Sequence, residues 1–85
     1  MKIVNKAYYT VVITYKSKYW PDYDDLLQDK FDYSDSSGMG MGERDHSYDF
    51  KTKAKATKFR ERVKAFVKKN KLKTVKTKIW ENDDY

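Results

Sequence analysis

Cysteine is absent from this 85-residue chain. That excludes disulfides and every thiolate zinc site. Histidine occurs once, and with scattered carboxylates it leaves little from which to build a transition-metal centre; no cofactor is expected. No apolar run approaches the roughly 20 residues that span a bilayer, so no membrane partner is expected. The first apolar stretch, Ala7 to Tyr15, is short and dotted with Thr and Tyr, unlike a secretory signal. These features together predict a cytoplasmic chain. Proline occurs once and glycine three times, at Gly38, Gly40 and Gly42. No lysine and helix follow those glycines as a phosphate-binding loop requires.

Aromatics and charge are abundant instead. Eight Tyr, four Phe and two Trp stand in a chain that is 39% hydrophobic and 38% charged. A single domain over residues 1–85 with a thin, aromatic-rich core follows from that size and composition. The net charge is +6 and unevenly spread. Residues 51–80 hold thirteen Lys or Arg against Glu61 alone, a local +12. Residues 18–43 hold two lysines against seven acids, a local −5, and 81–85 form an acidic tail of −3. Such segregation creates an oriented field that draws polyanions to one side.

Lys6 to Lys16 alternates as a strand, with Ala7, Tyr9, Val11, Ile13 and Tyr15 on one face and Tyr8, Thr10, Val12, Thr14 and Lys16 on the other. Pro21 with Asp22, Asp24 and Asp25 reads as the start of a short acidic helix over 22–31. Ser34 to Gly42, rich in Ser and Gly, reads as a flexible loop. Arg44 to Lys51 alternates again. Thr52 fits an N-cap for a helix from Lys53 to about Asn70, whose Ala56, Phe59, Val63, Phe66 and Val67 share an arc of roughly 100°. Lys73 to Trp80 reads as a third strand. The expected fold is α+β: a two-layer domain with one long basic helix on an antiparallel sheet of three strands, in the order β, acidic insertion (18–43), β, α, β. Val11, Ile13, Tyr48, Phe50, Val75 and Ile79 would meet Phe59, Val63 and Phe66. Two exposed sheet edges and a partly apolar second face make a homodimer a reasonable expectation.

The basic helix is the leading candidate site. Lys55, Lys58, Arg62 and Lys69 line one flank of its apolar stripe, and Lys53, Arg60, Lys64 and Lys68 line the other. Long cationic side chains reach phosphates, and an excess of Lys over Arg favours affinity over base reading. Trp80 beside Lys76 and Lys78, with Tyr8 and either Tyr19 or Trp20, would offer stacking surfaces for unpaired bases. The expected ligand is RNA, held by its phosphate backbone with weak sequence preference. Two other readings stand beside this one. The chain could bind an acidic surface of a host enzyme directly, without nucleic acid. Arg44-Asp45-His46-Ser47 could supply acid–base chemistry to a small ribonuclease, although alternation sets His46 opposite Asp45.

The run Ser47-Tyr48-Asp49-Phe50-Lys51-Thr52-Lys53-Ala54-Lys55-Ala56, passing from strand into basic helix in a short Tyr-, Lys- and Asp-rich chain, resembles the small early proteins of T4-like phages. The likeness is one of overall character along the chain and carries over no site residue. RNA-binding antagonists of host endoribonuclease toxins belong to that group. The resemblance implies RNA binding in the host cytoplasm, inhibition of a host ribonuclease toxin, and an assembly of toxin, RNA and inhibitor. The acidic insertion would then be the protein-contacting surface.

Overall fold

The computed structural model describes residues 6–84, with side chains from 8 to 82. Ala7, read above on the inner face of the first strand, and Tyr85 in the expected tail lie outside those side chains. The elements run β1 (Lys6–Lys16), a 3₁₀ turn (Ser17–Tyr19), α1 (Asp22–Phe31), β2 (Ser36–Gly40), β3 (Glu43–Phe50), α2 (Lys53–Lys69) and β4 (Lys76–Asp84). The strands form one antiparallel sheet in the order β2-β3-β1-β4. Each β-α-β crossover therefore has a strand of the other crossover between its two strands. This is the split β-α-β connectivity of the ferredoxin-like topology. The two-layer α+β expectation holds, with four strands rather than three.

The fourth strand is β2, which the sequence presents as a flexible loop. Ser and Gly carry no strand-forming side chains, so β2 has no periodic signal; it exists through backbone pairing with β3, from Ser36 opposite Ser47 to Gly40 opposite Glu43. The connection is the two-residue turn Met41-Gly42, with φ of 51° and 79°. Positive φ at both central residues is the type I′ geometry whose twist matches a hairpin.

β4 begins three residues later than expected and runs further. Lys71 and Thr74 adopt left-handed φ of 53° and 65°, which breaks the extended run before Lys76. Thr74 is β-branched and disfavoured there; its Oγ1 accepts a hydrogen bond from the Lys16 N–H at 3.1 Å. At the other end β1 templates β4 as far as Asp84, opposite Lys6, so the acids expected as a tail lie in a strand up to that residue.

Both helices cover the same face of the sheet. Register places Val11 between Tyr48 and Ile79, and Ile13 between His46 and Thr77. Val11, Ile13, Tyr15 and Tyr48 are buried there, under Ala56, Phe59 and Val63 of α2. Phe50, Phe66, Val75 and Ile79, expected in the core, lie half-buried around it. α1 is part of this layer. Tyr23, Leu27 and Phe31, spaced four apart on one helix face, are buried, and Phe31 packs edge-on to Phe59 and Phe66 at 5.3 and 5.4 Å. Burying each such side chain is worth about 1.5–3 kcal/mol, which makes the acidic insertion a core element and not an appendage.

α2 has the ends its sequence announces. Thr52 Oγ1 accepts from the Lys55 N–H at 3.1 Å. Asn70 stands at the C-cap. Beyond it the Lys71 N–H donates to Lys68 O at 3.2 Å and the Leu72 N–H to Val67 O at 3.0 Å. That pair of bonds is a Schellman motif with lysine where glycine is usual.

Candidate nucleic-acid interface

α2 projects Lys53, Lys55, Lys58, Lys64, Lys68 and Lys69 into solvent. Its two arginines are engaged. The Arg62 guanidinium lies 5.5 Å over the Phe31 ring, and Arg60 Nε donates to Thr77 Oγ1 on β4 at 3.2 Å. A shallow groove between α2 and β4 is lined by Val67, Val75 and Thr77 together with Lys64, Lys68 and Glu61. The remaining candidates, Lys76, Lys78, Trp80 and Tyr8, lie on the opposite face of the sheet, away from the helices. Alternation along the strands puts them there, because each odd-numbered neighbour faces the core. The candidate residues therefore form two surfaces that flank the edge strand β4. Of the other aromatics, Tyr19 stacks on Tyr23 of α1 at 4.5 Å and is not on the open face, and Trp20 is exposed where α1 begins.

Sheet order turns the charge blocks of the sequence into a molecular gradient. α2 and the first half of β4, with Lys76 and Lys78, carry the cations, while the second half of β4 holds Glu81, Asp83 and Asp84. α1 and the β2–β3 hairpin carry acids, including exposed Asp22, Asp25, Asp29 and Glu43. Among the described side chains, the ion pairs are Lys16–Glu43 and Arg44–Asp24, and the His46 imidazole also lies against Asp24. None of the thirteen basic side chains from Lys51 to Lys78 takes part. Lysines on an edge strand also deter unwanted strand pairing, which accounts for Lys76 and Lys78 but not for the cations of α2.

A second constellation was hidden from the sequence. Asp24, on the buried side of α1, is 4% exposed and His46 1%. The Asp24 carboxylate accepts from Arg44 Nη2 at 2.7 Å and Nε at 3.1 Å, from His46 Nε2 at 2.8 Å, and from the Tyr15 hydroxyl. Ser34 Oγ lies 2.9 Å from His46 Nδ1. Burial alone would raise the Asp24 pKa, but the hydrogen bonds from Arg44, His46 and Tyr15 outweigh it and hold the carboxyl at about 2. The Tyr15 hydroxyl is pushed above its usual range by burial and then by Asp24. Tyr48, whose hydroxyl donates to Asp32 O at 2.9 Å, is pushed up to about 12 by burial and then by the charges of Asp32, Asp24 and Asp35.

His46 thus does have an acid partner, and it is Asp24 from α1; Asp45 lies on the opposite face of β3, as alternation requires. Ser34, His46 and Asp24 contain the residue types of a nucleophile relay. Both ring nitrogens are already occupied, however, and a side chain 1% exposed offers no approach to a substrate. The cluster is a clamp that fastens α1 to β1 and β3. Local sequence could not reveal it, since its members come from four separate segments; Asp24 reads there as one more first-turn acid.

No family model, curated protein or solved structure matches the chain. Among the described residues, no helix is long and apolar enough to cross a membrane, and no group of three or more His, Asp or Glu side chains is placed to hold a metal ion.

Proposed function

We propose that this chain is a non-enzymatic RNA-binding protein whose basic α2–β4 side grips phosphates. The observation that carries the reading is the set of exposed lysines on α2 with no carboxylate partner among the described side chains. Like charges on successive helical turns repel one another, and a polyanion relieves that repulsion while releasing its own counterions. Lysine predominates, so the grip is to backbone phosphate with little base discrimination. The exposed aromatics next to lysines favour unpaired over duplex strands, and RNA is preferred to DNA on the resemblance to small phage antagonists of endoribonuclease toxins. That resemblance extends the proposal to inhibition of a host ribonuclease toxin through a shared RNA.

A second reading, direct docking on a protein, is favoured by one feature. Exposed Trp20, Leu26, Tyr33, Met39 and Met41 stand among the carboxylates of the acidic end, an apolar and anionic surface suited to a basic protein. A toxin retained after RNase treatment of the complex supports that reading; loss on treatment supports RNA as the bridge.

The test is RNA binding by a variant with Lys58→Glu, Lys64→Glu and Lys68→Glu, which leaves Arg60 and Arg62 in their packed positions. The wild-type affinity falls with salt by a log–log slope of about −0.7 per phosphate held on a single strand, so three lost contacts make the slope shallower by about 2. A variant that folds normally yet binds RNA with unchanged affinity and slope disproves the reading.

A further inference from the structure

Neither helix covers the outer face of the sheet. Register sets Thr10 between Asp49 and Trp80, and Val12 between Ser47 and Lys78. Tyr8 is opposite Asn82, and so a diagonal neighbour of Trp80. Trp80 is 54% exposed and Tyr8 38%, and Lys78 Nζ lies 5.9 Å from the Trp80 ring centroid. The strands beneath the rings are cross-braced: Asn82 Nδ2 of β4 donates to Thr10 Oγ1 of β1 at 2.9 Å, and Thr10 Oγ1 donates to Asp49 Oδ1 of β3 at 2.8 Å.

We propose that the β1–β4 half of this face is a stacking platform for the unpaired bases of single-stranded RNA, with Trp80 and Tyr8 as the rings and Lys76 and Lys78 holding the adjoining phosphates. The inference rests on the RNA-binding reading and names the form of RNA. Rings fixed on paired strands lose little freedom on binding, and every base presents a π-face to them. A duplex hides those faces, so it gains only from the lysines. Asp45 and Asp49 on β3, sharing this face, repel phosphate and confine the strand to β1 and β4. The footprint on the sheet is therefore short, about two or three bases, as for other sheet-borne aromatic pairs.

Affinities for a labelled single-stranded oligouridine and for an RNA hairpin stem of equal charge test this, in wild type, Trp80→Ala, Trp80→Phe and the α2 charge-reversal variant. Trp80→Ala loses roughly 5- to 150-fold on the single strand, the range one stacked base supports, and keeps its affinity for the stem. Trp80→Phe retains most of the single-strand affinity. With Trp20→Phe as background, the remaining Trp80 emission is quenched by oligouridine. Equal losses on both RNAs, no loss on either, or unaltered Trp80 emission overturns the platform. Should the platform fail while the charge-reversal variant still loses RNA, the RNA-binding reading survives it. A Trp80→Ala chain that changes from dimer to monomer in sedimentation with its single-strand affinity intact shows the face covered by a second copy, and the proposal falls.

Discussion

Asp24→Asn is the substitution on which the clamp makes its strongest demand. The change is nearly isosteric, but it removes the charge that faces the Arg44 guanidinium, whose side chain is 16% exposed. Breaking a buried ion pair from one side costs about 3–5 kcal/mol. At roughly 0.05–0.15 kcal/mol per residue, an 85-residue domain has about 4–13 kcal/mol in total, so the loss is a large share. The pH dependence supplies the sharper test. The folded Asp24 carboxyl titrates at about 2, below an ordinary 3.8. A depressed folded pKa stabilises the protein fully above the unfolded value, and that stability disappears as pH falls through the folded one. At 1.36 kcal/mol per unit the shift is worth about 2 kcal/mol. The amide of the variant cannot titrate, so the gap between wild type and variant narrows by about 2 kcal/mol at most as pH falls from about 6 toward 2. Urea unfolding followed by circular dichroism at about pH 6 and pH 2.5, at one ionic strength, measures the gap; the other carboxylates cancel in the difference. A deficit under about 1 kcal/mol at the higher pH would refute the clamp, as would a deficit of the same size at both pH values.

Two backbone positions give predictions of the opposite sign. Lys71→Gly places glycine at the left-handed residue of the α2 Schellman motif and relieves about 1 kcal/mol of strain, raising Tm by roughly 4–8 °C; a Tm that is unchanged or lower counts against the assignment. Met41→Asn suits the first left-handed position of the β2–β3 turn, where the methionine is fully exposed and its side chain packs on nothing that would be lost. A gain of about 0.5 kcal/mol in chemical denaturation is expected, and a loss would mean that the hairpin is not type I′.

Where an element announces itself by its own periodicity, the sequence alone was enough. The alternation of Lys6–Lys16 and of Arg44–Phe50, the apolar stripe of Lys53–Lys69 and the Thr52 cap are properties of contiguous residues, and each element formed where that pattern lay. The charge blocks were equally legible, because charge is a sum over a segment. Tertiary structure decided three things that no segment contains. Ser36–Gly40 is a strand only because β3 offers backbone partners along its edge, a fact invisible in Ser, Gly and Met side chains. Asp24 reads as a helix-dipole acid until folding brings Arg44 and His46, 20 and 22 residues away, into hydrogen-bonding distance. Alternation already sets Lys76, Lys78 and Trp80 on the face away from the helix, but only the β1–β4 register puts Tyr8 diagonally beside Trp80. Hydrophobic periodicity and capping act over a turn or a strand and so survive in the sequence; pairing partners and the side of a sheet are fixed by contacts across the chain.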